Sequence, residues 1–345
     1  MLSAPPKRDP VIDIAKGLGI MLVVFGHTHA PKPFHDYIYL FHIPLFFFLS
    51  GCTSKDCIDY KSTLLKRIKG LYLPFVGFGL VFLILHNSFA RLGINEHLFS
   101  LREAVQQAAR VFAFSMGVDE KLLAPLWFLK ALFLAEMFNL LHQRFLSRIS
   151  LTFAWLIPLG AAYALLPLHA TIPALRVNVI VPLFAASFFL LGRLKLKAQL
   201  RSTQLLRAAL FSLPVLMLLP HWGTNDLISL SLLPPPLFLL GAFAGILTTL
   251  AASQLLSYHS WASLLLAYIG RQTLWIMCLH FLAFKPIMWL SIHYFHEASL
   301  SLYESLGSTR PLGWLACAAS GVILPLCARA IFQALHTFLT SLRFR

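Results

Sequence analysis

Residues 8–51 read RDPVIDIAKGLGIMLVVFGHTHAPKPFHDYIYLFHIPLFFFLSG, two apolar segments carrying polar side chains that a lipid-facing helix would avoid. Asp13 and Lys16 stand three apart, which puts them on one face of a helix. His27 follows Lys16 by eleven residues, close to three turns at about 3.6 residues each, so one stripe carries all three. Gly17, Ile20 and Val24 fall on or beside that stripe. The result is a mostly apolar seam with charge near one end and an imidazole about 16 Å further along. After the loop from Pro31 to Asp36, the second segment brings His42 just ahead of Pro44, a second imidazole at a similar membrane depth.

An ionisable group inside a bilayer costs from a few to above about ten kcal/mol, so such residues face a bundle interior or a wet cavity. Two structural readings stand beside the functional one. Asp13 and Lys16 also suit an interfacial pair at a helix start, and His27 and His42, the latter next to a proline kink, also suit merely satisfied interior histidines.

The rest of the chain gives this stretch its setting. Of 345 residues, 58% are hydrophobic and 12% charged, with a mean hydropathy of +0.75, outside the range of soluble domains. The expected class is an all-α polytopic membrane protein. A formal charge of +15 raises nucleic acid as a partner, but the basic residues lie in short runs between apolar segments, which reads as topology and excludes that class. The first apolar segment follows a short tail, lacks a small-residue cleavage site and holds the groups of interest, so it is expected to be retained. Cys52, Cys57, Cys278, Cys317 and Cys327 show no metal-ligand spacing and read as small apolar side chains, with no disulfide and no metal expected.

Hydropathy predicts ten spans of roughly 20 residues each, at 11–30, 37–53, 70–87, 122–141, 151–168, 175–192, 204–220, 227–251, 263–290 and 312–334. In the eighth, Pro234, Pro235 and Pro236 must break a helix or mark re-entry. With ten spans and a cytoplasmic amino terminus, 18 of the 28 lysines and arginines fall inside, 8 outside, and Lys16 and Lys130 within spans. That asymmetry predicts both termini cytoplasmic and a single integral-membrane domain over 1–345.

The DIAKG…VVFGH run followed by FHIPLFFFLSG resembles the acyltransferase-3 family of integral-membrane O-acyltransferases, most of all its fucose O-acetylase-like branch. Members carry a basic residue, ten residues, then a histidine in the first helix, and Lys16 and His27 match that spacing, with Lys16 where many members have Arg. The resemblance extends to KSTLLKRIKGLYLPF at 61–75, PLWFLKALFL at 125–134 and IGRQTLWIMCLHF at 269–281. In the first of these the family commonly has two arginines three apart. Arg67 matches one, Gly70 stands at the other, and Lys66 and Lys69 are the candidates to supply the remaining charge.

Membership implies transfer of an acyl group, acetyl above all, from acetyl-coenzyme A in the cytoplasm to a hydroxyl of a cell-envelope polysaccharide such as lipopolysaccharide or of a lipid-linked sugar, in a bacterial inner membrane. Transfer from a thioester to a hydroxyl needs a base and a group that stabilises the oxyanion. His27 is the candidate base, or a transient acyl acceptor, because imidazole titrates near neutrality. His42 would orient His27 or donate to the oxyanion, and Asp13 would hold Lys16 in place. Lys16, Lys66, Arg67 and Lys69 are the candidate contacts for the phosphates of the donor. Most such basic clusters are inside anchors, and Lys66, Arg67 and Lys69 fit that reading too.

Trp127, Lys130 and His280 are candidate cavity residues. Trp127 equally suits an interfacial belt, and Lys130 equally suits snorkelling. Residues 88–121 mix charge with apolar residues at helical spacing and predict a helix on the outer interface. The loop from His293 to Arg310, with His296, Glu297 and Glu304, is expected outside. A transporter or flippase for a glycan precursor stays open as a different class, the triple proline being the kind of break it would use.

Overall fold

The structure is a computed structural model describing residues 9–194, 202–296, 301–303 and 312–342. Lys7, Arg8, Lys195, Lys197, Arg201, Glu297, Glu304, Arg310, Arg343 and Arg345, which entered the topology and loop expectations, lie outside the described residues. Among the described residues the regular structure is helical, with a single isolated bridge between Asp226 and Ser231.

In chain order the helices are α1 (Pro10–Gly26), α2 (Lys32–Tyr39), α3 (His42–Thr53), α4 (Tyr60–Arg91), α5 (Leu101–Phe112), α6 (Lys121–Phe145), α7 (Leu151–His169), α8 (Arg176–Arg193), α9 (Ser202–Trp222), α10 (Pro235–Leu256), α11 (Ser260–Arg271), α12 (Thr273–Phe295) and α13 (Gly313–Leu342). Eight of them, α4, α6 to α10, α12 and α13, are long and apolar enough to cross a membrane. The fold class is thus a polytopic all-α membrane protein. Exposed apolar side chains such as Phe211 and Met217 on α9 or Ile331 and Phe332 on α13 suit contact with lipid.

The ten expected spans are corrected at three places. α1 has 17 residues and α3 only 12. Twelve residues extend about 18 Å at about 1.5 Å each, short of a hydrocarbon core about 30 Å thick. The eighth span begins at Pro235, with Pro234 as its cap, so the prolines start a helix where their missing N–H costs nothing rather than break one. The residues before it, 225–233, form a folded loop in which Asn225 donates to the Leu40 carbonyl at 3.2 Å and accepts from Leu233 N at 3.1 Å. The ninth span divides at Gln272 into α11 and α12. Lys285, counted with the outer segments, lies inside α12, buried, donating to the Leu302 carbonyl at 2.6 Å.

The residues group into two compact units. The first comprises Met1–Val23, Lys32–Tyr72 and Leu129–Arg271, and the second Val24–Pro31, Leu73–Phe128 and Gln272–Arg345. In the first, helices cross backbone to backbone at glycines. A Cβ on Gly17 would sit 2.2 Å from the Leu266 oxygen, and one on Gly270 would sit 1.9 Å from the Asp13 oxygen, so α1 meets α11 there. Gly51, which ends the FHIPLFFFLSG run, and Gly192 place α3 against α8 in the same way, each new Cβ falling within 2.0 Å of a carbonyl oxygen on the other helix. Small residues at such crossings are how helices approach where lipid removes the hydrophobic drive between them.

In the second unit α12 and α13 pair closely, and a Cβ on Gly321 would meet Phe284 at 2.5 Å and Val24 at 2.7 Å. The helix expected in 88–121 is α5, started by a capping box in which Ser100 and Glu103 satisfy each other's backbone N–H groups. Its Val111 packs under Gly79 of α4 while Leu101 and Phe112 are exposed.

Candidate active site

In the second unit the chain leaves α1 at Gly26 through a turn, His27 N bonding the Val24 carbonyl at 3.2 Å and Thr28 N the Phe25 carbonyl at 3.0 Å. His27 therefore stands one residue past the helix that the spacing placed it on. The turn aims it at α12. Its ring centroid is 5.4 Å from that of His280, tilted by 33°, and 5.0 Å from Phe281, edge to face. His27 is half-buried and His280 is 0% exposed, walled by Phe281 and Phe284.

The hydrogen bonds of His280 assign its tautomer. Nδ1 lies 3.0 Å from the Ile276 carbonyl and 2.9 Å from the Met277 carbonyl, one helical turn back. Carbonyl oxygens only accept, so Nδ1 carries the hydrogen and the neutral ring keeps its lone pair on Nε2. That atom is buried and makes no hydrogen bond among the described residues. A buried acceptor without a partner is unusual enough to need a reason. The chain here combines a half-accessible imidazole with a second one whose basic nitrogen is held in reserve beside it.

The remaining expected residues, Trp127 apart, lie in the first unit. Asp13 Oδ2 stands 3.6 Å from Arg271 Nη1, and Lys16 donates to Thr53 Oγ1 at 3.3 Å. The expectation gave Asp13 the task of holding Lys16; the structure sets Arg271 beside Asp13, brought in by the Gly17 and Gly270 crossing, and Thr53 beside Lys16. Arg271 was overlooked as a site residue although it sits within the quoted IGRQTLW run, because nothing in the local spacing says that α11 lies on α1. His42 is 4% exposed, with Nδ1 2.9 Å from the Ile38 carbonyl and its ring 4.8 Å from Tyr39, so its lone pair is also on Nε2.

Of the basic lip, Lys66 and Lys69 are exposed, while Arg67 turns inward. Its Nε stands 2.8 Å from Glu136 Oε2, an ion pair without an aligned hydrogen bond. Lys130 is buried and donates to Asn178 Oδ1. Trp127, in the second unit, is half-buried at the start of the α-helical part of α6, edge to face with Phe128.

The fold and these groups define a class: a multi-pass, all-α membrane protein with an imidazole pair set among aromatic side chains. The model of the acyltransferase-3 family, an acyltransferase domain, matches residues 9–330, and the chain belongs to that family. It is a membrane acyltransferase. No curated protein and no solved structure matches the chain.

Proposed function

We propose that the protein moves an acetyl group from cytoplasmic acetyl-coenzyme A to a hydroxyl of a cell-envelope glycan or lipid-linked sugar in a bacterial inner membrane, with both termini in the cytoplasm. The observation that carries the reading, beside family membership, is the pairing of His27 with a buried His280 whose Nε2 has no partner.

In this mechanism His27 takes the proton of the acceptor hydroxyl as its oxygen attacks the thioester carbon. The tetrahedral intermediate collapses with cleavage of the C–S bond, and the departing thiolate receives that proton from His27, so the base is restored. His280, with Nδ1 anchored to the backbone, offers Nε2 to an N–H of His27 and selects the tautomer whose lone pair faces the acceptor. His42, whose Nδ1–H is spent on the Ile38 carbonyl, supplies an Nε2–H donor to the oxyanion in its protonated form. Lys16 receives a phosphate at the pantetheine end as a point charge. Lys66 and Lys69, being exposed, add charge at the entrance, and Arg67 serves there through its ion pair with Glu136. Trp127 and Lys130 line the acceptor's route.

The test is acetyl transfer by purified protein in lipid, read by mass spectrometry of envelope glycans with acetyl-coenzyme A as donor. A product heavier by one acetyl group is expected. Transport of a glycan precursor with no acetylated product and no thioester cleavage would replace this reading with a transporter.

A further inference from the structure

In the first unit, the loop after α3, the start of α4, the end of α6, the turn into α7 and the last residue of α8 enclose a polar cavity of about 310 Å³. Asp56, Cys57, Tyr60, His142, Gln143 and Arg193 are among its lining residues. All of these segments are ones that the charge asymmetry assigns to the cytoplasmic side.

The hydrogen bonds around the cavity settle what two of its side chains can recognise. Cys57 N donates to Gln143 Oε1 at 2.8 Å, which orients the amide and makes Nε2 its donor end. His142 Nε2 lies 3.1 Å from the Ile149 carbonyl, so Nε2 carries the hydrogen and Nδ1 the lone pair. Both Gln143 Nε2 and His142 Nδ1 are buried with no hydrogen-bond partner among the described residues, a costly arrangement unless a ligand or water completes it. Successive residues thus hold one unused donor and one unused acceptor.

Arg193 adds an anion site. Its side chain is 7% exposed, and Nη1 donates to Asn139 Oδ1 at 2.7 Å. Its ion partner Asp56 is 86% exposed, so the cation is built in while the carboxylate is held from one side only.

We infer that this cavity seats an adenine nucleotide. Gln143 Nε2 donates to purine N7, His142 Nδ1 accepts from the 6-amino group, and a nucleotide phosphate takes the place of Asp56 on Arg193. The Hoogsteen edge of adenine offers an acceptor beside a donor, whereas guanine offers two acceptors there, so Gln143 meets N7 in either purine and His142 discriminates at the 6-position. Tyr60 begins α4, and Lys66 lies six residues further along it, about 9 Å by helical rise. A phosphate chain leaving the cavity along that helix meets the exposed lysines. The inference rests on the proposed donor, because coenzyme A ends in a phosphorylated adenosine.

The experiment measures binding of adenosine 3′,5′-bisphosphate and guanosine 3′,5′-bisphosphate to the purified full-length protein, with acetyl transfer read on the same samples. The wild type is expected to prefer the adenine form by about tenfold or more. Gln143→Glu keeps an acceptor for Cys57 N but exchanges the donor that meets N7 for a second acceptor, and should weaken both nucleotides alike. His142→Phe removes the acceptor that meets the 6-amino group of adenine or O6 of guanine, so the ratio of the two affinities isolates that contact and should fall to about one. Asp56→Asn should tighten both nucleotides, a gain that misfolding does not imitate. No binding, no adenine preference, or an unchanged ratio in His142→Phe overturns the purine site, and unchanged affinity in Asp56→Asn overturns the phosphate site. Acetyl transfer without adenine preference would leave the acetyl-coenzyme A reading standing and remove the cavity from it. Adenine preference without transfer or thioester cleavage would do the reverse.

Discussion

His86 and His280 are both buried in the second unit, and both touch aromatic rings, yet their nitrogens are treated differently. His86 Nδ1 lies 2.7 Å from Glu120 Oε2 and its Nε2 3.0 Å from the His97 carbonyl, while the ring stacks on Phe99 at 3.5 Å. Asn95 closes the group with 2.7 Å to the same Glu120 oxygen. Every polar atom of that imidazole is spent on holding the residues around 95–120 to α4. His280 spends one nitrogen on the backbone and keeps the other without a bond beside His27. Burial alone therefore does not mark a functional histidine; the number of satisfied nitrogens separates a strut from a ring with an acceptor left open.

The comparison can be broken most decisively at its reactive member. His27→Ala should lower acetyl transfer by about 10²- to 10⁴-fold while the protein still inserts and accumulates; a normal rate of product formation would remove His27 from the chemistry. Phenylalanine at each buried position then sharpens the contrast. His86→Phe leaves Glu120 and the His97 carbonyl short of a partner and should cost about 3 kcal/mol of stability, seen as earlier thermal unfolding, with the rate per folded molecule kept. His280→Phe keeps the packing volume near His27 and should do the opposite, lowering kcat about a hundredfold through a misplaced base with little change in unfolding temperature. Should both variants lose stability and keep the rate, His280 would be a strut as well.

Smaller effects test the first unit and the capping box of α5. Lys16→Ala should raise the KM for acetyl-coenzyme A about tenfold, the size of one hydrogen bond to a charged group, and leave the acceptor KM in place. Equal donor KM in both proteins would count against a phosphate contact. Least is expected from Glu103, whose carboxyl the Ser100 hydroxyl and then the Ser100 amide hold below its ordinary range. Because the folded value lies under the unfolded one, the capping box contributes in full above about pH 4.3. Its contribution is lost as pH falls through the lower folded value. Hydrogen exchange at the first turn of α5 should quicken on that acid side, and Ser100→Ala should remove the step.

Much of this was legible in the chain. The shared face of Asp13 and Lys16 and the amphipathic α5 follow from helical spacing, which is a local property, whereas His27 falls one residue beyond α1 and His280 is singled out by the resemblance of 269–281 to a family motif. The count of spans was less legible, since hydropathy does not distinguish a 12-residue buried helix such as α3 from one that crosses the bilayer: both are apolar throughout. The same blindness joined α11 to α12 through the short irregularity at Gln272. The triple proline read as a break because a proline's effect depends on whether it falls inside a helix or in its first turn, and three in a row do not say which.

The amino-acid sequence by itself determined the class: apolar segments of membrane length and their cationic connections, set by composition and period, together with motifs that resemble those of a known family. Only the tertiary structure decided the partners. It set His280 beside His27, Arg271 beside Asp13, Glu136 beside Arg67, and His142 with Gln143 at one cavity, none of them neighbours by helical spacing except the last two. Those meetings depend on where helices cross, at glycines such as Gly17, Gly192 and Gly321 that let backbones or rings come close. A crossing joins residues far apart in the chain, and no periodicity within one segment encodes it.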